Sequence, residues 1–348
     1  MKLDRLAEAE LVEAIRRDFG RKGKGLELGI GDDAAALRPG LAKGERLLLT
    51  TDLLVEDVDF RRSAHPPFFL GRKSLNVNLS DIAAMGGRPR WALLGLALPH
   101  GLKTTWVDEF FRGFRSACRD EDVLLIGGDL SAADKILISV MVVGTASSLL
   151  TRGGARPGDY LFVSGPLGDA AAGLQLLAKG AARPGRLKPA PGKAGTTGPG
   201  AVRRPGPAAD RLLQAFLDPR PRVTLGRELA RRRLASAMID LSDGLSVDLR
   251  HICRESRVGA EVWRECIPLS EEIRAFFPSP LPLALHGGED FELLFSVPRR
   301  RLEALLRLGR THALHPIGRI VRSQAILLVG PRGRKSLLPA RGWQHFKW

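Results

Sequence analysis

Six short segments of this 348-residue chain place acids beside Gly, Ser or Thr, and most adjoin apolar runs typical of β-strands. They are Gly31-Asp32-Asp33, Thr50-Thr51-Asp52, Ser80-Asp81, Gly127-Gly128-Asp129, Asp240-Leu241-Ser242-Asp243-Gly244 and Gly287-Gly288-Glu289-Asp290. One Gly-Asp step is ordinary turn chemistry. Six acidic segments of this kind indicate carboxylates at strand ends that hold a hard cation near a polyphosphate, because Mg²⁺ takes oxygen ligands from protein, water and phosphate.

Strand and helix patterns alternate along the chain and predict two domains. The first half predicts strands over 45–52, 91–98 and 123–126, helices over 67–85 and 104–119, and a central strand within 135–143. The second half predicts strands over 160–163, 237–240 and 291–297, with helices starting near Gly168 and Gly244. The Gly- and Pro-rich stretch at 152–159 interrupts the pattern. The predicted domains are therefore 1–147 and 148–348.

The formal charge of +16 invites a nucleic-acid hypothesis, so the position of the basic residues matters. Residues 181–209 hold six Lys or Arg and no acid, and residues 299–348 hold twelve against Glu303 alone. The rest of the chain, with the acidic segments, is nearly neutral. This distribution argues against nucleic acid as the partner. Residues 181–209 lack apolar periodicity and predict a disordered or poorly ordered insertion.

The three cysteines, Cys118, Cys253 and Cys266, have no C-x-x-C spacing and predict free thiols in a reducing compartment. Residues 1–19 lack the apolar run and cleavage site of a signal peptide. No apolar stretch approaches the roughly 20 residues that span a bilayer. We therefore expect a cytoplasmic protein with no membrane association.

Each acidic segment also has a purely structural interpretation. Asn78 and Asp81 share a helix face, which fits a metal ligand, a solvent-exposed face or a local cap. Ser242 or Asp243 could be a helix N-cap, although three oxygen-bearing side chains within four positions exceed what a cap needs. The paired glycines at 127–128 and 287–288 suit either a ligand that approaches the backbone or a tight turn.

In their order and spacing these segments resemble thiamine-monophosphate kinases. The similarity extends over nearly the whole chain apart from the insertion, and it includes Gly29–Ala34, Asn78–Gly86, Ile239–Leu245, Gly287–Leu293 and Gly342–Phe346. The resemblance also relates the chain to aminoimidazole-ribonucleotide synthetase, selenophosphate synthetase and a hydrogenase-maturation dehydratase. It implies an α+β fold with an N-terminal ATP-binding and dimerisation domain and a C-terminal α+β domain.

The resemblance further implies roles for individual residues. Mg²⁺ ligands would be Asp32, Asp33, Thr50, Thr51, Asp52, Asp81, Asp129, Asp240 and Asp243. The residues implied to contact ATP are Gly128, Asp129, Arg152 and Ser242, and those implied to act in catalysis are Asp129, Asp240 and Asp243. Glu289 and Trp343 would bind thiamine monophosphate, although Trp343 also suits a docked C-terminal tail. The implied reaction transfers the γ-phosphate of ATP to thiamine monophosphate, within a homodimer.

One position departs from the family, because Asp59 stands where the family usually has a substrate-binding His. Two other hypotheses remain open at this point. One is a different ATP-dependent enzyme of the superfamily, such as an aminoimidazole-ribonucleotide synthetase. The other is a basic nucleic-acid-binding protein with a degenerate kinase fold. Intact acids at every metal position argue against degeneration, and the cysteine positions fit neither the selenophosphate nor the hydrogenase-maturation enzyme.

Overall fold

The computed structural model describes residues 15, 17–20, 26–28, 36–37, 40–180 and 207–342. Among these residues, one compact unit contains 40–82 and 88–147, and a second contains 83–87, 148–180 and 207–342. Asp32, Asp33, Trp343 and most of the basic insertion lie outside the described residues. No helix among those described is long and apolar enough to cross a membrane.

The described part of the first unit is built on a four-stranded sheet. Its elements are β1 (Leu26–Leu28), β2 (Ala36–Leu37), β3 (Arg46–Val55), α1 (Pro67–Ala84), β4 (Arg88–Leu98), α2 (Thr104–Asp120), β5 (Leu124–Ala132) and β6 (Leu137–Ala146). The four-stranded sheet has the order β3-β6-β4-β5, whereas β1 and β2 pair separately. The apolar run that predicts a central strand is β6, which pairs antiparallel with both β3 and β4.

Side chains alternate strictly along the central strands of this sheet. On β6, Ile138, Val140 and Val142 are buried, whereas the intervening residues are only half-buried. The same alternation on β3 leaves Leu49 and Leu53 exposed. We call the buried side of this sheet its inner face and the opposite side its outer face.

The second unit is built on a seven-stranded sheet with the order β13-β12-β9-β11-β7-β10-β8. Its strands are β7 (Tyr160–Val163), β8 (Ala237–Asp240), β9 (Gly259–Trp263), β10 (Leu293–Val297), β11 (His315–Val321), β12 (Ile326–Val329) and β13 (Lys335–Leu337). Its helices are α3 (Asp169–Ala178), α4 (Pro207–Leu217), α5 (Val223–Arg231), α6 (Leu245–Ser256), α7 (Glu271–Phe276), α8 (Leu281–His286) and α9 (Leu302–Leu308). Buried side chains of β7, β8 and α6 form its main core.

Three predictions about local structure are wrong. The Thr50–Asp52 segment does not end a strand, because β3 pairs with β6 as far as Val55. The Gly127–Asp129 segment is not a turn, because β5 pairs with β4 as far as Ala132. The predicted insertion extends too far, since α4 begins at Pro207 and buries the side chain of Ala209.

Candidate active site

The acids of the first unit meet between β3 and α1. The Thr50 hydroxyl donates a hydrogen bond of 2.6 Å to Oδ2 of Asp81, which joins the strand to the helix. Asp52 lies on the same face of β3, two residues farther along. Burial, together with the charges of Asp81 and Asp59, raises the pKa of the Asp52 carboxyl to about 6. Three carboxylates therefore lie within electrostatic reach of one another.

This donor set fits a divalent cation. Carboxylates that repel one another around a half-buried acid are stabilised when a metal ion lies among them, and hydroxyl and carboxylate oxygens suit Mg²⁺. Within the described part of the chain, however, no three His, Cys, Asp or Glu residues are close enough to form a metal site by themselves. Asp32 and Asp33 lie outside that part of the chain.

Thr51 takes a different direction from its neighbours. Because side chains alternate along a strand, its hydroxyl lies on the outer face of β3, whereas Thr50 and Asp52 lie on the inner face. The exposure pattern agrees, with Thr51 exposed and Thr50 and Asp52 partly buried. The structure therefore does not bring the Thr51 hydroxyl together with the predicted acidic ligands.

Asp129 is also on the outer face. It pairs with Gly95 on β4, which pairs with Ser139 on β6 and through it with Leu53 on β3. This row lies one residue away from the row of Asp52, so the two carboxylates leave opposite faces of the sheet. The Asp129 side chain is exposed, and the structure does not group it with Asp52.

Gly128 is required by the sheet itself. A Cβ atom at this position would lie 1.9 Å from the carbonyl oxygen of Leu94 on the neighbouring strand. No side chain fits in that space. The close approach of β4 therefore explains this glycine without reference to a ligand.

Asp59 belongs to the turn that follows β3. Its Oδ2 accepts a hydrogen bond of 2.8 Å from the Val55 N–H, and its own N–H donates to the Val55 carbonyl at 2.9 Å. These two bonds close the turn. At the position of the family's His, one carboxylate oxygen of Asp59 is thus hydrogen-bonded to the backbone. The negative charge of Asp59 still raises the pKa of Asp52.

In the second unit, β8 ends at buried Asp240 and leads into the 241–244 loop before α6. The N-cap of α6 is Gly244 at φ 110°, and no side chain caps this helix end. Instead Oδ2 of Asp248 accepts hydrogen bonds from the N–H groups of Asp243 at 3.1 Å and Gly244 at 3.0 Å. The structural interpretation of Ser242 or Asp243 as the N-cap is therefore wrong.

Burial of Asp248 and the nearby charges of Asp243 and Asp240 raise its pKa to about 8. Three acids thus crowd around one turn of the chain. The Asp248 carboxylate supports the loop through its two backbone hydrogen bonds. Asp240, Ser242 and Asp243 stay the candidate ligand-binding residues.

The 287–291 loop lies against the 241–244 loop. Its Glu289 N–H donates to the Ser242 carbonyl at 2.7 Å, and its Phe291 N–H donates to the Leu241 carbonyl at 2.8 Å. A Cβ atom on Gly288 would lie 2.5 Å from the Ser242 carbonyl oxygen, so the loops touch where the sequence has glycine. Asp290 accepts hydrogen bonds from the N–H groups at the start of α3 and therefore supports the fold.

The C-terminal segment reaches the same loop. The Ser246 hydroxyl lies 3.3 Å from both the N–H and the carbonyl oxygen of Arg341, and 2.9 Å from Nδ1 of His286. A Cβ atom on Gly342 would lie 2.4 Å from the Asp243 carbonyl oxygen. The residue that precedes Trp343 is therefore packed directly against the predicted nucleotide-binding loop.

Arg152 is exposed and lies near this part of the second unit. Burial lowers the pKa of His251, and the charges of Arg152 and Arg254 lower it further, whereas Asp243 acts in the opposite direction. One imidazole is therefore within electrostatic range of both Arg152 and Asp243. A cation beside this acidic loop can attract an anionic nucleotide.

Two family models match the chain. They are AIR synthase related protein, N-terminal domain, over residues 31–146, and AIR synthase related protein, C-terminal domain, over residues 156–329. The fold and the acidic loops thus define a two-domain protein of the AIR synthase related class.

Curated and solved relatives narrow that class. The thiamine-monophosphate kinase of Aquifex aeolicus (strain VF5) is 35% identical over 352 residues, covering 99% of this chain and 100% of that protein. The crystal structure of thiamine-monophosphate kinase from Stenotrophomonas maltophilia K279a has a TM-score of 0.80 and 36% identity, covering 97% of this chain and 99% of that one. A structure of AaThiL complexed with AMPPCP and TMP has a TM-score of 0.74 and 34% identity, covering 99% of each chain. The chain belongs to the thiamine-monophosphate kinase family.

Residues that support the loops escaped the sequence reasoning. Asp248 lies four residues beyond the Gly244 that it contacts, inside α6, where an acid in the first turn is common. Arg222 pairs with Glu292, 70 residues away, and nothing local marks that pairing. The short spacing of Asp248 from the acidic segment is a signal that could have identified it. The sequence holds no comparable signal for Arg222.

Proposed function

We propose that this chain is a Mg²⁺-dependent kinase that transfers the γ-phosphoryl group of ATP to thiamine monophosphate, giving thiamine diphosphate. The observation that carries the proposal is the full-length similarity to AaThiL, a protein complexed with AMPPCP and TMP. The curated relatives support this activity over an aminoimidazole-ribonucleotide synthetase. ATP and thiamine monophosphate are then the two substrates.

Mg²⁺ is the proposed metal, and when bound it would neutralise charge on the phosphates that react. The residues that would hold it are Asp32, Asp33, Thr50, Asp52, Asp81, Asp129, Asp240 and Asp243, with Thr51 contributing through its backbone rather than its hydroxyl. The mutual repulsion at Asp52 supports this set. The outer-face position of Asp129 makes it the member that most needs a separate test.

The acceptor is a phosphate oxygen, which is already anionic near neutral pH and needs no strong general base. The residues of this chain therefore act mainly by positioning both substrates and by compensating their charge. Gly128, Arg152 and Ser242 are the proposed ATP contacts. Glu289 and Trp343 are the proposed contacts of thiamine monophosphate, where an indole ring can stack on the cationic thiazolium.

Asp59 is proposed to stay close to the substrate phosphate as a member of the acidic group. Its hydrogen bond to the Val55 N–H satisfies part of its carboxylate, so it is less exposed to an incoming anion than an unpaired acid would be. We expect this chain to depend on bound metal more strongly than relatives that carry His at this position.

A homodimer formed through the sheet of the first unit is proposed from its outer face. Leu47, Leu49 and Leu53 of β3 are 41%, 64% and 54% exposed and lie on that face. Several exposed leucines along one strand face are typical of a protein–protein interface. We expect Leu49→Lys to convert a dimer into a monomer in light scattering. Leu306→Lys on α9, which replaces an equally exposed leucine, should leave a dimer.

The three cysteines, Cys118, Cys253 and Cys266, are free thiols in the structure. We propose a cytoplasmic location, where reducing conditions keep thiols free.

The test is to mix the purified protein with ATP, Mg²⁺ and thiamine monophosphate and to follow thiamine diphosphate by chromatography. We expect product from the wild type and from Asp108→Asn, which changes an exposed acid on α2. Asp243→Asn and Asp129→Asn should lose it. Absence of product from the wild type, despite ATP binding, would contradict the thiamine assignment. If Asp129→Asn still makes product and Asp243→Asn does not, Asp129 is not a catalytic residue and the rest of the proposal is unaffected.

A further inference from the structure

Arg222 makes a two-point contact with Glu292, immediately after the 287–291 loop. Its Nε donates to Oε2 at 2.8 Å, and its terminal nitrogen donates to Oε1. The Ser164 hydroxyl also donates to the Glu292 carboxylate. Glu292 is 5% exposed, and a Cβ atom on Gly165 would lie 2.5 Å from its Oε1. The carboxylate is therefore fixed from several sides, and a planar guanidinium suits a two-point bond better than an ammonium.

The loop fixed by this pair has an unfavourable backbone. Glu289 and Phe291 have φ values of 68° and 49°, in the left-handed region that side chains other than glycine rarely adopt. Such conformations persist only where the surrounding contacts enforce them. Here the contacts are the two N–H bonds to Ser242 and Leu241 on one side and the Glu292 anchor at the loop's end.

The two adjoining loops have different supports. The 241–244 loop is held from inside α6 by Asp248, through two N–H groups. The 287–291 loop has Asp290 on the start of α3 and Glu292 on Arg222. Loss of the Arg222 contact should therefore loosen the loop that carries Glu289 while the loop that carries Ser242 and Asp243 stays held.

We propose that Arg222 is a positioning residue of the active site. Through Glu292 it holds the 287–291 loop, and with it Glu289, in the orientation that receives thiamine monophosphate. The identity of the substrate in this inference rests on the proposed function. The ordering of the 287–291 loop by Arg222 rests only on the contacts in the structure. Arg222 is not itself a contact of either substrate in this proposal.

Steady-state kinetics of Arg222→Gln and Arg222→Lys test the proposal. A misplacement of about 1 Å can cost up to about 100-fold in rate, so we expect KM for thiamine monophosphate to rise about tenfold or more in Arg222→Gln. KM for ATP should change less than about threefold, because Asp248 still holds the nucleotide loop. Arg222→Lys should lie between wild type and Arg222→Gln, since it keeps the charge but loses the fork.

Arg319→Gln is the matched control. Arg319 on β11 also pairs with a buried glutamate, Glu261 on β9, which accepts a second bond from Lys335, and neither strand carries one of the two loops. We expect it to lower the melting temperature without a change in either KM. Equal effects of Arg319→Gln and Arg222→Gln on the KM for thiamine monophosphate would overturn the positioning role, because a general loss of stability would then explain both.

Hydrogen exchange gives a second readout that needs no turnover. The amides of Glu289 and Phe291 should exchange faster in Arg222→Lys than in wild type, and those of Asp243 and Gly244 should not. Ser164→Ala removes one hydrogen-bond donor from the same carboxylate and should also speed the exchange of the Glu289 and Phe291 amides. It tests the proposal even if Arg222→Gln does not fold. Unchanged exchange in both variants would overturn the proposal. An inactive wild type with faster exchange in the variants would instead reject only the thiamine substrate.

Discussion

Asp52 of the first unit and the pair Asp290 and Glu292 of the second unit are stabilised in different ways. In the first unit, burial and the neighbouring acids Asp81 and Asp59 all raise the pKa of Asp52. In the second unit, Asp290 and Glu292 accept hydrogen bonds from backbone N–H groups or from Arg222. Asp290 and Glu292 therefore shape loops, whereas a bound cation would stabilise an acid in the position of Asp52. The role of an acid in such a motif therefore depends on the groups that its carboxylate contacts, and the motif alone does not reveal it.

The largest effect that this comparison predicts is at Asp52. Asp52→Asn removes a charge that the fold stabilises poorly, so we expect kcat to fall about 100-fold or more while the protein remains folded. We expect Mg²⁺ to raise the melting temperature of the wild type but not that of Asp52→Asn, as measured by calorimetry with and without EDTA.

Thr51→Val is the control for Asp52. It alters the adjacent residue with little change in volume, but on the outer face of β3. We expect less than about a threefold change in kcat and a preserved Mg²⁺ effect on melting. A loss as large as that of Asp52→Asn would contradict the assignment of the two side chains to opposite faces.

The next effect is at Gly342, where the second unit holds its C-terminal segment. A Cβ atom there would lie 2.4 Å from the Asp243 carbonyl oxygen, so Gly342→Ala must displace the segment that leads to Trp343. We expect KM for thiamine monophosphate to rise about tenfold, since Trp343 is the proposed stacking partner. Gly330→Ala, where the nearest atom is 3.8 Å away, should leave KM unchanged. If Gly342→Ala and Gly330→Ala have the same KM for thiamine monophosphate, the C-terminal segment does not contribute to substrate binding.

Local patterns predict much of this fold and less of its site. The strands Tyr160–Val163 and Ala237–Asp240 follow the sequence expectation residue for residue, because each is a short apolar run between turn residues. The continuation of β3 and β5 through their acidic segments was not predicted, because it depends on pairing with strands far along the chain. For the same reason the sequence identifies Thr51 and Asp129 as candidates but cannot assign them a face of the sheet.

The smallest predicted effect concerns Asp169, a further acid of the second unit. Burial raises its pKa, the Ser270 hydroxyl bond lowers it, and the charges of Glu272 and Glu292 raise it, which together place this pKa at about 6. The unfolded chain loses this proton near the ordinary pKa of about 4, whereas the folded chain keeps it until about pH 6. The stability that protonated Asp169 contributes should therefore be lost as pH rises from 4 to 6.

Asp169→Asn keeps an acceptor for Ser270 and removes the charge. We expect it to be more stable than wild type at pH 7 by on the order of 1 kcal/mol, and no more stable at pH 4. The loss of a charge at the start of α3 should matter little, because Asp290 already accepts hydrogen bonds from that helix end. Urea unfolding at both pH values, with the exposed Asp108→Asn as control, measures the difference. A gain in stability at pH 4 as large as that at pH 7 would show that Asp169 is ionised in the folded protein at both pH values, and would contradict its raised pKa.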